Sequence, residues 1–331
     1  MSFSIKKIDI TKSSAEWNNF FLDFPDEEIS LAANPSFATI FSIYFNIDPT
    51  YYFIIEEGSV IGVLPGFLKN GRFLSMPMLS SGGAFIKKSS ITKEAIYREL
   101  SLKIHPLYEI REFKQYSSYS NQEKVTCYKN LCSTVDEQLN SFKSKLRSQI
   151  LKGYKNGLTT SVGGSNFLPD FYKLYSKNLH RLGTPVPSIN YFYTFINNYK
   201  YGTCAVFSVK KDNTTIATAI TFSYCSFFEV MWASTDRKYN YLNPNMLLYW
   251  EMMKYSIEKK MHIFSFGRSA KESATLTFKR QWEITEHTLY FNMDTPHYTS
   301  TIKKYISFAW KHLPYKLTLF LGPILRTNFI N

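Results

Sequence analysis

The chain shows the same order of predicted elements twice, and this repeat limits the fold more than any other feature of the sequence. In the first half, apolar runs flank a turn at Glu57-Gly58, and in the second half similar runs flank Lys211-Asp212-Asn213. Apolar runs joined by short turn sequences predict β-hairpins, and segments of helical periodicity precede and follow them. The two turns lie about 155 positions apart with negligible identity between the halves, so the sequence predicts one α/β unit used twice.

The predicted elements divide the chain into two domains and a C-terminal segment. Residues 120–134 are polar and predicted to be irregular, which places a boundary near residue 135. The domains are residues 1–135 and 136–296, and residues 297–331 form a basic amphipathic segment. Helices are predicted at 13–22, 36–46, 91–103, 136–156, 167–181, 188–199 and 244–260. Strands are predicted at 51–57, 59–68, 72–77, 107–114, 203–210, 214–224, 227–234 and 262–266.

Length and composition exclude several protein classes. With 331 residues, each half is long enough to bury its own core. No apolar run approaches the roughly 18 residues that a membrane-spanning helix needs. The first residues lack the apolar core of a signal peptide, so we expect a cytoplasmic protein. The four cysteines form no C-x-x-C pair and the six histidines are scattered, which predicts reduced thiols and no metal site.

The net charge of +13 is the first indication of function. It favours polyanionic partners such as RNA, phosphorylated substrates or anionic lipid. General solubility is an equally good explanation of charge alone. No DNA partner is expected.

The predicted helix at 136–156 carries much of this charge. Its apolar residues fall within one narrow arc, and basic residues, Arg147 and Lys152 among them, occupy the rest of the circumference. An ordinary amphipathic helix with a solvated basic face explains this pattern. A track for RNA or a pyrophosphate explains it too.

The segment 232–255 predicts a helix start directly after three strands. Asn243 is a good N-cap and Pro244 suits the first helical position. A helix start offers free N–H groups and a positive dipole to a ligand, although helix capping alone would also explain both residues. If the helix begins at Asn243, Asn245 and Tyr249 face the same cleft.

The stretch FGRSAKESATLTFKRQW, residues 266–282, combines cations with hydroxyl groups after a short apolar strand. Arg268 offers a planar fork for phosphate or carboxylate, Ser269 a neutral donor, and Lys271 and Lys279 further cations. Open α/β sheets place ligands where such a strand ends. The pattern predicts a loop that grips an anionic substrate; the alternative is a surface loop anchored by Trp282. No nucleophile elbow is present, so covalent catalysis has no support.

These stretches resemble the FemAB-like branch of the GNAT acyltransferase superfamily over nearly the whole chain. The most specific similarities are WASTDRKYNYLNPNMLLYWEMMKY and FGRSAKESATLTFKRQW. Others are NPSFATIF, YYFIIEEGSVIGVLPGFL, LSMPMLSSGG, KLRSQILKGYKNGL and FYKLYSKNLHRLGTPVPS. The resemblance implies an α/β (α+β) fold with two tandem GNAT-like domains, each a mixed, mainly antiparallel sheet flanked by helices. The second domain would hold the donor site.

The resemblance also implies the chemistry. The best-known members of the family add amino acids from aminoacyl-tRNA to peptidoglycan precursors, and others are tied to envelope or exopolysaccharide synthesis. We therefore expect direct transfer of an acyl or aminoacyl group to an amine of a cell-envelope glycan or its precursor. Two alternatives are an acyl-CoA-dependent N-acyltransferase acting on an amino sugar and a non-catalytic relative that binds RNA or glycan.

One departure from the family pattern concerns the donor. The usual coenzyme A loop, Q/R-x-x-G-x-G/A, should fall near residues 237–245, which read RKYNYLNPN and contain no glycine. Glycine N–H groups in that loop cradle a pyrophosphate. The departure favours a charged tRNA without excluding acyl-CoA.

Direct transfer assigns roles to individual residues. Arg268 and Lys271 would grip phosphate or carboxylate, Lys279 would line the opposite wall, and Arg147 and Lys152 would contact substrate or tRNA. The general base would be Glu229, a carboxylate among apolar neighbours that raise its pKa. Glu229 could equally face solvent on the other side of its strand. Asp236 is a second candidate base, although such an aspartate is more often a turn former.

The C-terminal segment could lie on an anionic membrane at the inner face of the cell membrane. Four basic residues flank four apolar ones in a helical pattern. The basic residues are Lys303, Lys304, Lys311 and Lys316, and the apolar ones are Ile302, Ile306, Trp310 and Leu313. The favoured alternative is that the segment packs back on the first domain.

Overall fold

The computed structural model describes residues 3–296 and 302–326, which form two sheets covered by helices. The strands are β1 Phe3–Ile8, β2 Asp48–Pro49, β3 Tyr51–Glu56, β4 Ser59–Leu64, β5 Phe67–Lys69, β6 Arg72–Leu74, β7 Phe85–Ile86, β8 Tyr108–Glu112, β9 Tyr119–Asn130, β10 Leu158–Gly163, β11 Cys204–Lys211, β12 Thr214–Tyr224, β13 Phe227–Thr235, β14 Ile263–Ala270 and β15 Thr285–Met293. The helices are α1 Ser14–Phe20, α2 Ser36–Phe45, α3 Lys93–Glu99, α4 Val135–Ser141, α5 Ser144–Lys155, α6 Leu168–Leu182, α7 Ile189–Asn198, α8 Pro244–Glu258, α9 Ala274–Arg280, α10 Ile302–His312 and α11 Tyr315–Arg326.

The larger sheet joins the two halves of the chain. Its order is β10-β11-β12-β13-β14-β9-β15-β8-β6-β5-β2, and the smaller sheet is β1-β3-β4-β7. In the larger sheet only β13–β14 and β6–β8 pair in parallel. The predicted fold class, mainly antiparallel sheets flanked by helices, is confirmed. The larger sheet also runs across residue 135, where the sequence places the domain boundary.

The prediction of an irregular stretch at 120–134 was wrong, because most of it is β9. This strand pairs with β14 on one side and with β15 on the other. Val125 and Cys127, two positions apart, are buried in the core around α8. The polar residues that suggested a loop lie mostly near the start of the strand, at Ser120–Lys124. Hydrogen bonding on both edges thus overrides a polar composition.

The predicted helix at 136–156 is divided into α4 and α5. Thr134 and Glu137 form a reciprocal capping box at the start of α4. Phe142 and Lys143 between the helices are extended, with ψ of 150° and 148°. The break inserts the buried Phe142 ring against Trp282, 5.6 Å between ring centroids. Packing therefore interrupts a continuous helical pattern.

The segment 266–282, predicted as a loop, also contains regular structure. Strand β14 continues to Ala270, and α9 then begins at Ala274. Ser273 caps this helix, because its hydroxyl accepts a hydrogen bond from the Leu276 N–H at 3.2 Å. The hydroxyl groups that suggested a ligand-binding loop thus include a helix cap.

The C-terminal helices pack on α6. The Trp310 side chain is buried, Ser176 Oγ and Tyr315 Oη lie 2.7 Å apart, and His180 Nε2 lies 2.9 Å from the Leu313 carbonyl oxygen. A Cβ on Gly322 would stand 2.6 Å from the Val186 carbonyl oxygen, so glycine permits this close approach. The contacts on α6 lie in the second predicted domain, whereas the sequence favoured packing on the first.

Aromatic residues from both halves share one core. Phe37 and Phe41 of α2 contact Phe195 of α7, at 6.3 and 5.8 Å between ring centroids. Phe195 in turn contacts Trp232 of β13, at 5.1 Å. Ring–ring contacts through α7 therefore pack the first half of the chain against β13, the strand that carries Glu229.

The glycine turn at 80–83 is tightly packed, which gives a prediction about stability. A Cβ on Gly83 would stand 1.9 Å from Glu112 Oε1. Glu112 is held there by hydrogen bonds from Lys93 Nζ at 2.8 Å and from the Tyr97 hydroxyl. We expect Gly83→Ala to destabilise the protein by about 2 kcal/mol, as overpacking does, measured by urea denaturation. In a Glu112→Ala background the same substitution should cost less, and an unchanged cost would contradict this explanation.

Candidate functional site

The candidate site lies where two parallel strands separate. β13 and β14 pair only from Phe227–Ile263 to Glu229–Ser265. Beyond this point β13 stays with β12 and β14 with β9, and a cavity of about 300 Å³ lies at the opening. Its lining includes Glu229, Tyr249, Arg268 and Lys279, all four predicted from the sequence. A gap between parallel strands exposes backbone and side chains of both strands to a ligand.

Irregular backbone on both strands shapes this opening. The β12–β13 register pairs Ile220 with Trp232 and Thr221 with Val230, so Met231 is the extra residue of a β-bulge. On β14 the register with β9 shifts between Ser265 and Arg268. Gly267 lies in this shift with φ of +68°, and a Cβ there would stand 3.2 Å from the Val230 carbonyl oxygen. Glycine thus permits both the positive φ and the close approach of β14 to the Val230 carbonyl.

Glu229 is a buried carboxylate at the apex of the gap. It is 4% exposed, so it does not face solvent, and its Oε2 accepts a hydrogen bond of 2.8 Å from Ser265 Oγ. Ser80 Oγ lies 3.5 Å from its other oxygen. Burial raises the pKa of this carboxyl above its usual value, against the opposing effects of the Ser265 hydrogen bond and the Lys279 charge. A carboxylate with a raised pKa can accept a proton from a substrate near neutral pH.

Lys279 is a buried ammonium on the opposite wall. It is 3% exposed, and its Nζ donates to the carbonyl oxygens of Gly267 and Arg268 at 2.8 and 3.2 Å. Burial lowers the pKa of Lys279 to about 8, although Cys127 and Glu229 act in the opposite direction. An ammonium has three N–H donors, and the carbonyls use two, which leaves the third for a group in the cavity.

Arg268 places a guanidinium group between the two halves of the chain. Its Nη1 donates to the Leu79 carbonyl oxygen at 3.3 Å, and Arg111 Nη1 donates to the same oxygen at 3.3 Å. Burial, followed by the nearby Arg111 charge, lowers the pKa of Arg268 to about 10. Two guanidinium groups thus converge on one carbonyl oxygen beside the cavity, and Arg111 is also paired with Glu109 at 2.8 Å.

Among the lining residues that sequence reasoning missed, three come from parts of the chain far from β13 and β14. Met78 and Ser80 come from the segment between β6 and β7, where Met78 has φ of +76°. Both residues belong to LSMPMLSSGG, and the family resemblance of that stretch was the one signal that the sequence offered. Arg326 comes from the end of α11. Nothing local distinguishes it from other surface arginines, because only tertiary packing brings it to the cavity.

The other predicted site residues lie outside this lining. Asp236 caps the 3₁₀ helix Arg237–Leu242, since its Oδ1 accepts from the Lys238 N–H at 3.2 Å. Asn245 Oδ1 accepts from Thr235 Oγ1 at 3.1 Å, and Arg147 Nη1 donates to the Phe142 carbonyl at 2.8 Å. Ser269 is buried with no partner for its hydroxyl in the described part of the chain. Lys152 and Lys271 are exposed.

Within residues 3–296 and 302–326, no group of three or more acidic, histidine or cysteine side chains could hold a metal ion. No helix in these ranges combines the length and apolar character needed to cross a bilayer.

Comparison with known proteins agrees with this geometry. Residues 142–280 match the family model of the acetyltransferase (GNAT) domain. No curated protein matches the chain in sequence.

Several solved structures are similar over most of the chain, among them the following three. The crystal structure of FemX is 17% identical, with a TM-score of 0.66, and the match covers 87% of this chain and 97% of that one. The structure of L-PGS from Bacillus licheniformis is 11% identical, with a TM-score of 0.53 and 96% coverage of both chains. A tandem GNAT protein from the clavulanic acid biosynthesis pathway is 10% identical, with a TM-score of 0.51, covering 90% of this chain and 100% of that one.

These similarities confirm the predicted resemblance. At such identities the structures establish the fold, and the family model places a GNAT domain around the cavity, whose lining from Glu229 to Lys279 falls inside residues 142–280. The prediction of an acyltransferase is confirmed with it.

Proposed function

We propose that this chain, an acyltransferase with the FemAB-like GNAT fold, transfers an acyl or aminoacyl group to an amine of a cell-envelope glycan or its precursor. The observation that carries the proposal is the pairing of buried Glu229 with buried Lys279 across one cavity. Amine acylation needs a base for the amine proton and a donor for the carbonyl oxygen that becomes negative. The two residues supply these functions from two sides of one cavity.

The proposed reaction is a direct displacement. The neutral amine nitrogen attacks the acyl carbon, so a C–N bond forms while the bond from the acyl carbon to the donor oxygen or sulfur breaks. The amine proton passes to the Glu229 carboxylate and from there to the leaving oxygen or sulfur, which regenerates the carboxylate. The third N–H of Lys279 and the backbone N–H of the bulge residue Met231 are the candidate donors to the oxyanion. Asp236, the other predicted base, remains a candidate that a direct comparison can test.

We infer that the donor is an aminoacyl-tRNA, since several N–H groups within residues 237–245 are already hydrogen-bonded inside the chain. The Lys238 N–H bonds to the Asp236 side chain and the Tyr239 N–H to the Asp236 carbonyl. The Asn243 N–H bonds to the Asn240 carbonyl, and Asn243 itself has φ of +59°. A pyrophosphate would need these N–H groups and would meet the Asp236 carboxylate. A coenzyme A cradle of the usual kind therefore has poor support here.

A basic surface beside this segment suits a tRNA. Asn156 Nδ2 donates to the Leu242 carbonyl at 3.1 Å, which fixes the end of α5 against the start of α8. Lys152 and Lys155 of α5 are exposed, as are Arg237 and Lys238. Exposed cations along one edge attract a phosphate backbone in a salt-dependent way.

Thermal-shift measurements with charged tRNA, uncharged tRNA and acetyl-CoA test the donor. A ligand at 100 times its Kd adds about 2.7 kcal/mol of stability, so we expect charged tRNA to raise the Tm by several degrees, and less so at high salt. The double variant Lys152→Glu, Lys155→Glu should lose this shift, whereas Lys259→Glu, at the far end of α8, should keep it.

A transfer assay then separates the alternatives. Labelled aminoacyl-tRNA or acetyl-CoA is incubated with an extract of envelope precursors. Label arriving only from acetyl-CoA would replace our proposal with a CoA-dependent N-acyltransferase on an amino sugar. Binding of tRNA without transfer from any donor would indicate a non-catalytic relative.

The proposal includes contact with an anionic membrane through α10 and α11. Leu317 and Phe320 are 41% and 70% exposed, and Lys311 and Lys316 are exposed. Exposed apolar and basic side chains on one helical segment suit the surface of an anionic bilayer. The side chains of Ile302, Lys303, Lys304 and Ile306 lie outside the described residues. We expect the protein to float with anionic vesicles and not with neutral ones; flotation with neither would remove this part of the proposal.

A further inference from the structure

Ser265 is a fully buried serine beside the candidate base. It lies on β14 opposite Glu229 of β13, in the last residue pair of the parallel ladder, and it is 0% exposed. Glu229 and Ser80 are among the described residues that line the cavity, whereas Ser265 is not. The Ser265 hydroxyl therefore contacts the Glu229 carboxyl from the side away from the space where substrates would bind.

A third group fixes the direction of the hydrogen bond between these two side chains. The Gly267 N–H donates to Ser265 Oγ at 3.1 Å, and Ser265 Oγ lies 2.8 Å from Glu229 Oε2. A hydroxyl has one proton to donate and an ionised carboxylate can only accept. With the Gly267 N–H on its oxygen, Ser265 therefore directs its own proton to Oε2. A donor in this position favours the charged form of the carboxyl.

The same hydrogen-bond path continues to Lys279. The Gly267 carbonyl oxygen accepts from Lys279 Nζ at 2.8 Å, so one residue of the backbone bonds to Ser265 through its N–H and to Lys279 through its carbonyl. A buried polar path whose members are all hydrogen-bonded is rigid. Ser265 is thus held by the backbone that also holds the candidate oxyanion donor.

The other oxygen of Glu229 remains available to a substrate. Its neighbour is Ser80 Oγ at 3.5 Å, which is longer than an ordinary O–H···O hydrogen bond, and Ser80 lines the cavity. The two carboxylate oxygens thus differ in their surroundings. Oε2 faces the buried Ser265, and Oε1 faces the cavity side.

Charged and titratable groups around the carboxyl come from three elements. Burial raises the pKa of Glu229, and the groups that oppose burial are first the Ser265 hydrogen bond, then the Lys279 charge from α9 and the Arg268 charge from β14. The phenol of Tyr128, on β9, also lies close enough for Glu229 to raise the pKa of that phenol, although burial contributes more. Among these groups, Ser265 is the one that bonds directly to a carboxylate oxygen.

We propose that Ser265 is a positioning residue of the acyl-transfer reaction, which holds Oε2 of Glu229 and thereby presents Oε1 to the substrate amine. The proposal rests on the proposed role of Glu229 as the base. The amine proton goes to Oε1, because Oε2 already accepts the Ser265 proton, and it leaves from Oε1 to the departing oxygen or sulfur. Without the hydroxyl, the carboxyl would be free to rotate and harder to ionise.

Ser265→Ala tests this role through the pH dependence of the reaction. We expect the rise of kcat/KM with pH to move upward by about 1 to 2 pH units, since a hydrogen bond to a charged group is lost. The fall near pH 8 expected from Lys279 should stay, because both of its carbonyl contacts remain. At neutral pH kcat should drop about 10- to 100-fold with little change in KM.

Three further variants make the result specific. Ser265→Thr keeps the hydroxyl and should restore most of the wild-type pH dependence. Ser265→Cys, nearly the same shape with a weaker donor, should shift the rise in the same direction by less. Ser208→Ala is the matched control, since Ser208 is a buried serine of β11 whose hydroxyl has no partner within the part of the chain that the structure describes. It should behave like the wild type.

A titration without turnover separates this proposal from the proposed function. In protein labelled at the glutamate side chains, the carbon NMR signal of the Glu229 carboxyl is identified by its absence in Glu229→Gln. We expect it to titrate at higher pH in Ser265→Ala than in the wild type and in Ser208→Ala. Equal titration in all three proteins would overturn the role of Ser265 while leaving Glu229 as the base. Full activity of Glu229→Gln would overturn the base assignment and this proposal with it.

Discussion

Glu229→Gln is expected to reduce kcat/KM by at least about 100-fold, the usual contribution of a general base. Glutamine has nearly the same shape and can still accept the 2.8 Å hydrogen bond from Ser265, but it cannot take the amine proton. In the wild type, kcat/KM should rise with pH as Glu229 loses its proton, at a pH above the usual range for glutamate because burial raises its pKa. The rate of label transfer at several pH values measures both effects.

The free energy of unfolding should fall as pH rises, whereas kcat/KM rises. Because the pKa of Glu229 is higher in the folded state than in the unfolded state, the folded state binds more protons between the two values and stability falls as pH rises through them. Glu229→Gln has no carboxyl group to ionise and so lacks this decrease in stability. The variant should therefore be at least as stable as the wild type at pH 7.

Two other variants serve as comparisons. Glu251→Gln, whose carboxylate is bonded by Tyr154 and Lys254 away from the cavity, should keep its rate. Asp236→Asn tests the second candidate base. A large loss in Asp236→Asn combined with full activity in Glu229→Gln would reverse our assignment.

Lys279→Met is expected to lower kcat by about 100- to 1,000-fold, as the loss of an oxyanion donor does. The methionine fills the same buried space, but it presents no N–H to the cavity. In the wild type, the rate should fall again above about pH 8, where the ammonium loses its proton. The rise assigned to Glu229 and the fall assigned to Lys279 together give a bell-shaped dependence of the rate on pH. Lys259→Met, a substitution of an exposed lysine, should not alter this dependence.

A purely structural role for Lys279 can be distinguished by stability. The pKa of Lys279 is lowered in the folded state, so between about pH 8 and the unfolded value the unfolded chain binds more protons and stability rises with pH. This rise should be absent in Lys279→Met. If the variant loses the rise but keeps its kcat, Lys279 only holds the Gly267 and Arg268 carbonyls and takes no part in the chemistry.

The sequence predicted Glu229 and Lys279 of the cavity lining, but it did not predict the lining residues that come from distant parts of the chain. Glu229 and Lys279 are unusual in their local setting, a carboxylate in an apolar strand and a lysine in a segment of small polar residues, so they could be found without a structure. Asp236 and Asn245 fitted the pattern equally well, yet hydrogen bonds to Lys238 and Thr235 occupy them. Local pattern cannot separate a capping side chain from one that faces a cavity, since both are polar residues at the end of a strand.

The parts of the site that depend on long-range packing could not be predicted. Arg326 reaches the cavity because α11 packs on α6, and Ser80 because the segment after β6 lies against β13 and β14. The same limit applies to β9, whose polar start resembles a loop until two neighbouring strands pair with it. Each case depends on contacts with residues more than 100 positions away in the chain. A search for hydrophobic periodicity considers fewer than about 20 neighbouring residues at a time and cannot detect such contacts.

The position of β9 between β14 and β15 determines which gene segment would have to be exchanged as a whole to keep the site intact. A gene segment that encodes residues 136–331 contains both Glu229 and Lys279. It lacks β9, the strand that pairs with β14 on the side away from the gap. Exchange of halves between related genes at the apparent repeat boundary would therefore separate the reactive groups from part of their support. A crossover would keep β9 and the lining residues Met78 and Ser80 together with Glu229 and Lys279 only if it fell before Met78, so the unit that must be kept together is longer than the repeated unit.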